Sequence, residues 1–134
     1  MDGVLWRGTQ EIGDLSAIFD IFSQRGLRVV LATNNATLSV DKFLEKLRSF
    51  EVEIEPWQIV TSAGATARYL SKLFPGGGPL YIVGEEGLVG ALQEAGFFHQ
   101  PGAAQAVVAG LDRQTTYQKL CEASLLIQTG IPFI

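Results

Sequence analysis

The segment Leu27-Arg28-Val29-Val30-Leu31-Ala32-Thr33-Asn34-Asn35 carries five apolar residues after Gly26 and stops abruptly in three small hydrogen-bonding side chains. An apolar run bounded in this way suits a parallel strand buried on both faces between helices, in the middle of a sheet. In open α/β sheets ligands bind outside the carboxyl ends of the strands, and Thr33, Asn34 and Asn35 fall where this strand should end. A hydroxyl, two amides and loop N–H groups are able to hold an anion there. The same residues also suit a plain turn into the next helix, because Asn and Thr favour turns, and the strand alone leaves both readings open.

Outward from this segment the pattern repeats. Upstream, Asp14 is placed to cap a helix in which Leu15, Ile18, Phe19 and Phe22 recur at helical spacing before Gly26. Downstream, Ser39 precedes a helix with Val40, Phe43, Leu44 and Leu47 as its apolar stripe and Lys42, Glu45, Lys46 and Arg48 on its solvated side. Pro56 suits a first helical position, Ile59 and Val60 a brief strand ending at Thr61-Ser62, and residues 63–73 a helix rich in small residues. Phe74-Pro75-Gly76-Gly77-Gly78-Pro79 reads as a loop or hinge, and it lacks the lysine and spacing of a phosphate-binding P-loop. Beyond it, Leu80 to Val83 leads into a helix near 86–95, Ala106 to Ala109 into a helix near 116–129, and Ile131 to Ile134 reads as one more strand. Four strand-loop-helix units in a row predict a mostly parallel α/β architecture.

The 134 residues, 47% of them apolar, are enough for a buried core. A net charge of −4 with scattered basic residues argues against a nucleic-acid or membrane-surface partner. A single cysteine, Cys121, excludes an internal disulfide and reads as a small buried hydrophobe rather than a nucleophile. No apolar run approaches a membrane span and no signal pattern opens the chain, so a cytoplasmic location is expected.

The first residues, Met1-Asp2-Gly3-Val4-Leu5-Trp6, followed about thirty residues later by Thr33-Asn34-Asn35, resemble the haloacid-dehalogenase (HAD) superfamily of phosphohydrolases. Within it the resemblance is to the 4-nitrophenylphosphatase-like branch, which includes phosphoglycolate and pyridoxal phosphate phosphatases. That branch carries Asp-x-Asp-Gly-Val-Leu-Trp as its first motif and Ser/Thr-Asn-Asn as its second. Gly84-Glu85-Glu86-Gly87-Leu88 and Gly110-Leu111-Asp112-Arg113-Gln114 extend the likeness along the chain. Asp2 aligns with the second aspartate of the first motif, the general acid and base. The attacking aspartate would fall one residue before Met1, and the lysine and acidic metal ligands of the later motifs have no counterpart, so a chain truncated at both ends relative to the family is expected.

The resemblance implies a Rossmann-like HAD core, partial over residues 1–74, a hinge at 75–79, and the first half of an inserted α/β cap over 80–134. It further implies a magnesium-dependent phosphatase acting on small phosphate monoesters through an aspartyl-phosphate intermediate, inactive without its nucleophile. Asp2 would act as the acid/base and lend its backbone carbonyl to Mg²⁺, while Gly3, Thr33, Asn34 and Asn35 would surround the phosphate. The implied partner is a small phosphorylated metabolite, with homodimerisation through the cap. A non-catalytic α/β module that binds an anion or dimerises is the alternative.

Overall fold

A computed structural model describes residues 1–134. The chain divides into two compact units, the first comprising Met1–Asn34 and Val40–Thr61, the second Asn35–Ser39 and Ser62–Ile134. The division falls ahead of the glycine-rich stretch, and each unit has its own parallel sheet.

In the first unit a short antiparallel hairpin, β1 (Trp6–Arg7) and β2 (Gln10–Glu11), precedes α1 (Leu15–Gln24). Asp14 caps α1 as its sequence suggests, its carboxylate accepting from Ala17 N at 2.9 Å. Strand β3 (Leu31–Thr33) then pairs in parallel with β4 (Ile59–Thr61), in the register Leu31 to Ile59 and Thr33 to Thr61. Between them, α2 (Val40–Arg48) buries Phe43, Leu44 and Leu47, with Asp41 in its first turn and Lys46 and Arg48 in its last, as the helix dipole favours.

The central strand departs from its expected form. Only three of the nine residues from Leu27 to Asn35 are strand, and burial alternates, with Leu31 and Thr33 inside and Ala32 outside. Leu27 and Val30 are more than half exposed. The physical reason is that β3 has one sheet neighbour, β4, and the face carrying Val30, Ala32 and Val60 is uncovered, which restores the period-two pattern of a half-buried sheet.

In the second unit α3 (Ser62–Leu73) leads to β5 (Gly78–Val83), α4 (Glu86–Glu94), β6 (Phe97–His99), β7 (Val107–Ala109) and α5 (Tyr117–Gln128). All pairings are parallel, in the order β6-β5-β7, and residues 132–134 add a further rung beside β7 through Val107–Phe133. Leu80 and Ile82 pack with Ala63, Ala67 and Leu70 of α3 and Leu88 and Leu92 of α4. Tyr81 and Val83 face the other way, toward Ala123 of α5. The sheet is thus covered on both faces, the arrangement expected of a parallel sheet.

The glycine-rich stretch is shorter as a loop than its composition suggests, because Gly78 and Pro79 already belong to β5. Gly78 N–H donates to Gly96 O at 3.1 Å and Gln105 N–H to Pro79 O at 2.9 Å, so the ladder begins before the apolar run does. Proline is tolerated because N–H and C=O of a strand residue point to the same side, and Pro79's missing donor faces a neighbour, β7, that only starts at Val107. Gly77, at φ +69°, is obligatory as glycine, since a Cβ there would collide with the Gly96 carbonyl.

No helix is long and apolar enough to cross a membrane. Cys121 is exposed on α5 rather than buried.

Candidate functional site

The N-terminal segment is a tight turn. Met1 C=O accepts from Val4 N at 3.1 Å and Leu5 N at 2.9 Å, and Gly3 N–H donates to Trp6 O at 2.8 Å. What anchors this turn is Trp6, which is fully buried and stacked on Phe50 with ring centroids 5.9 Å apart. Its outer face carries a cation: Lys46 Nζ lies 4.6 Å from the indole centroid while donating to Gly8 O at 2.8 Å. The edge of the same indole holds Asp2: Trp6 Nε1–H donates to Asp2 Oδ1 at 2.6 Å. A carboxylate four residues upstream is therefore held by a buried neutral donor, and Asp2 is aimed by packing rather than by its own short side chain.

Thr33 stands at the carboxyl end of β3, buried, and in register with the equally buried Thr61 of β4. Asn34 follows directly, exposed. Asn35 makes an Asx turn: its Oδ1 accepts from Thr37 N at 2.9 Å and from Thr37 Oγ1 at 2.7 Å. That consumes the carbamoyl oxygen of Asn35, so what this residue can offer an anion is N–H donors. Asp2, Gly3, Thr33 and Asn34 lie in the first compact unit, whereas Asn35 opens the segment that belongs to the second.

Two further motifs meet in the second unit. Glu85, following β5, receives Arg113 through its backbone N–H at 3.0 Å and through Nη1 at 3.0 Å to Oε1 and 2.8 Å to Oε2. Asp112 is largely buried, bonded to Lys119 Nζ at 2.8 Å and accepting from Gln114 N at 2.8 Å. The Lys119 hydrogen bond, then that of Gln114, hold its carboxyl below the ordinary aspartate value. On the far side of the sheet edge, His99 Nδ1 accepts from Ile82 N at 3.0 Å, taking over the ladder where β6 ends.

Sequence reasoning missed Trp6 as the residue that orients Asp2 and Thr37 as the partner of Asn35. Both had a signal: a tryptophan inside a motif otherwise built of small and aliphatic residues, and a threonine two places after an asparagine, the spacing of an Asx turn. No group of three or more His, Cys, Asp or Glu is placed to hold a metal ion. Mg²⁺ demands near-octahedral oxygen coordination, so Asp2 with its carbonyl does not by itself amount to a magnesium site.

Residues 1–98 match the family model described as haloacid dehalogenase-like hydrolase. The whole chain is 38% identical to the acid sugar phosphatase of Staphylococcus aureus, of which it covers 52%. Among solved structures it superposes on a p-nitrophenyl phosphatase from Archaeoglobus fulgidus with a TM-score of 0.90 and 28% identity, covering 98% of this chain and 51% of that one. A thermostable p-nitrophenylphosphatase from Bacillus stearothermophilus gives 0.81 at 36% identity, over 99% of this chain and 52% of that one. The chain spans about half the length of the relatives it matches. On the match over residues 1–98, which contains both the Asp2 turn and the Thr33-Asn34-Asn35 strand end, the chain belongs to the haloacid dehalogenase-like hydrolase family.

Proposed function

We propose that the chain carries the acid/base and part of the phosphate-holding apparatus of a phosphatase for small phosphate monoesters, and is catalytically inactive on its own. The observation that carries this reading is the Asp2 carboxylate fixed at 2.6 Å by the buried Trp6 indole, inside the region the family model matches. In the reaction, a carboxylate outside these 134 residues attacks phosphorus, and the bond to the ester oxygen breaks. Asp2 delivers its proton to the departing alkoxide and then removes one from the water that attacks the aspartyl-phosphate. Thr33 and the Asn34 N–H hold equatorial phosphate oxygens and the charge growing on them, with Gly3 as a further donor and Asn35 as orienter of the loop.

Mg²⁺ is the metal such a site would use to shield the phosphate charge, with the Asp2 carbonyl as this chain's contribution. The donors present do not complete its coordination. The substrate is a small phosphorylated metabolite. The sugar phosphate and nitrophenyl phosphate named for the relatives are the compounds to try, phosphoglycolate and pyridoxal phosphate after them. Residues 80–134 would act as part of a substrate-screening cap in a cytoplasmic enzyme, and the exposed Tyr117, Leu120 and Leu125 of α5 supply a surface for homodimerisation.

The test has two arms. With p-nitrophenyl phosphate and Mg²⁺ the chain should turn over no faster than a mock preparation. Metal-dependent turnover that Asp2→Ala abolishes would show that another residue attacks. In the second arm inorganic phosphate should bind, and Thr33→Ala should weaken it by roughly tenfold or more, the effect of one hydrogen bond to a charged group. Binding indifferent to Thr33→Ala would remove Thr33 from the site.

A further inference from the structure

The loops that follow β5 and β7 leave their sheet in opposite directions. Residues 84–86 lead to α4, whose Leu88 and Leu92 join the core beside Leu80 and Ile82, while residues 110–116 lead to α5, whose Ala123 joins the Tyr81 face. Adjacent parallel strands with oppositely directed connections open a crevice at their carboxyl ends, which in such sheets is where a ligand sits. Here the chain's own residues 36–38 approach that point. Ala36 packs against the Leu88 cluster, and a Cβ on Gly110 would lie 3.7 Å from the Ala36 Cβ.

The closest approach is at Gly87, in the first turn of α4. Its N–H donates to the Thr37 carbonyl at 3.2 Å. A Cβ there would stand 2.5 Å from the Leu38 carbonyl oxygen and 2.7 Å from that of Ala36, both backbone atoms that no side-chain rotation can clear. From Thr37 the contacts run straight to Asn35, whose Oδ1 takes both the amide and the hydroxyl of Thr37, and Thr37 itself is buried. Asn35 is joined by one peptide bond to Asn34 and by two to Thr33.

We propose that Gly87 is a positioning residue: its bare backbone seats residues 36–38, and that seat holds the Asx turn by which Asn35 ends the anion-holding segment. The idea rests on the phosphate-holding role proposed above, and it makes a helix remote in sequence part of the support of Asn35. Glycine at 87 is then required by close backbone approach rather than by helix formation, in contrast to Gly90 of the same helix, where nothing lies within 4 Å of an added Cβ.

The experiment compares Gly87→Ala with Gly90→Ala in the 134-residue chain, reading two quantities. One is inorganic phosphate affinity by calorimetry, and the other is hydrogen exchange at the Thr37 amide by NMR, which reports the Asx turn. Gly87→Ala should weaken phosphate roughly tenfold or more and expose the Thr37 amide to exchange, by loss of hydrogen bonds in the seat and at the charged ligand. Gly90→Ala should change neither. Should Gly87→Ala fail to fold, Thr37→Val, which removes only the hydroxyl held by Asn35, should weaken phosphate while Thr37→Ser restores it. A wild-type chain that binds phosphate, with affinity unmoved by Gly87→Ala or by Thr37→Val, overturns the seat and leaves the phosphate site standing. A wild-type chain that binds no phosphate, with Thr37 still protected, overturns the phosphate site and the seat's role in it together.

Discussion

The sheet of the second unit and the sheet of the first are both parallel, yet they are covered differently. Leu70, Leu80 and Leu92 are wholly buried around β5, and Tyr81 and Val107 close the opposite face. In the first unit α1 buries Leu15 alone of its residues, and Ile18, Ile21, Val30 and Val60 are 38 to 53% exposed. The periodicity of α1 is as helical as that of α2, with apolar residues on one stripe. Periodicity in a sequence therefore reports that a face is apolar, and says nothing about whether an element of the same chain lies against it.

The largest effect that separates the two regions should come from truncating a core residue of the covered sheet. Leu80→Ala removes a wholly buried side chain between α3 and α4 and should cost about 2–5 kcal/mol in chemical denaturation, transfer and cavity terms together. A cost no greater than that of an exposed α1 residue would break the comparison. In the first unit Trp6 is fully buried too, as are Phe43 and Leu47. Trp6→Phe keeps an aromatic ring against Phe50 but deletes the donor to Asp2, and should cost about 1–3 kcal/mol. In a chain extended to supply the attacking carboxylate, activity should fall along with it, whereas a purely structural Trp6 would change stability alone.

Tyr81 gives a smaller effect with a pH signature. Burial first, then the hydrogen bond and charge of Glu122, push its hydroxyl up to about 12 from 10.0. The folded value lies above the unfolded one, so its stabilising contribution is complete below pH 10 and is lost as pH rises through about 12. Tyr81→Phe should be less stable by about 1 kcal/mol at neutral pH, and the wild type's advantage should shrink to nothing across that alkaline window. A constant difference across the window would mean that the hydroxyl does not ionise from the folded state.

How much of this was legible in the sequence varies with how local the determining interaction is. Helices α1 and α2 carry their apolar stripes locally in the sequence, and Asp14 caps α1 as its position suggests. The strand expected over Leu27–Asn35 is only Leu31–Thr33, because apolar composition does not reveal how many neighbours a strand has. Strand β6 was missed because Phe97-Phe98-His99 is too short for alternation to show and is defined by its ladder to β5. Gly78-Pro79 entered a strand against composition, because Gly96 and Gln105, far along the chain, supply its partners. For the candidate site, residue types and motif positions were readable, but the contacts that hold them were not. Trp6 to Asp2 and Gly87 to Thr37 are matters of packing and close backbone approach.

The smallest expected effect is the sharpest probe of the comparison. Ile21 lies on α1 at 47% exposed, so replacing it by lysine neither opens a cavity nor strands a charge. Surface substitutions of that kind stay within about 0.5 kcal/mol, and lysine keeps nearly all the helix propensity the position needs. Ile21→Lys should accordingly leave the denaturation midpoint where it is, at any protein concentration. If it costs well over 1 kcal/mol, the α1 face is covered in solution more fully than its exposure indicates. A second copy of the chain as that cover would make the loss depend on concentration, and light scattering would show the mass fall from dimer to monomer. A loss independent of concentration would mean that α1 packs more tightly within its own unit than its exposure indicates, and the contrast between the two sheets would then be one of degree.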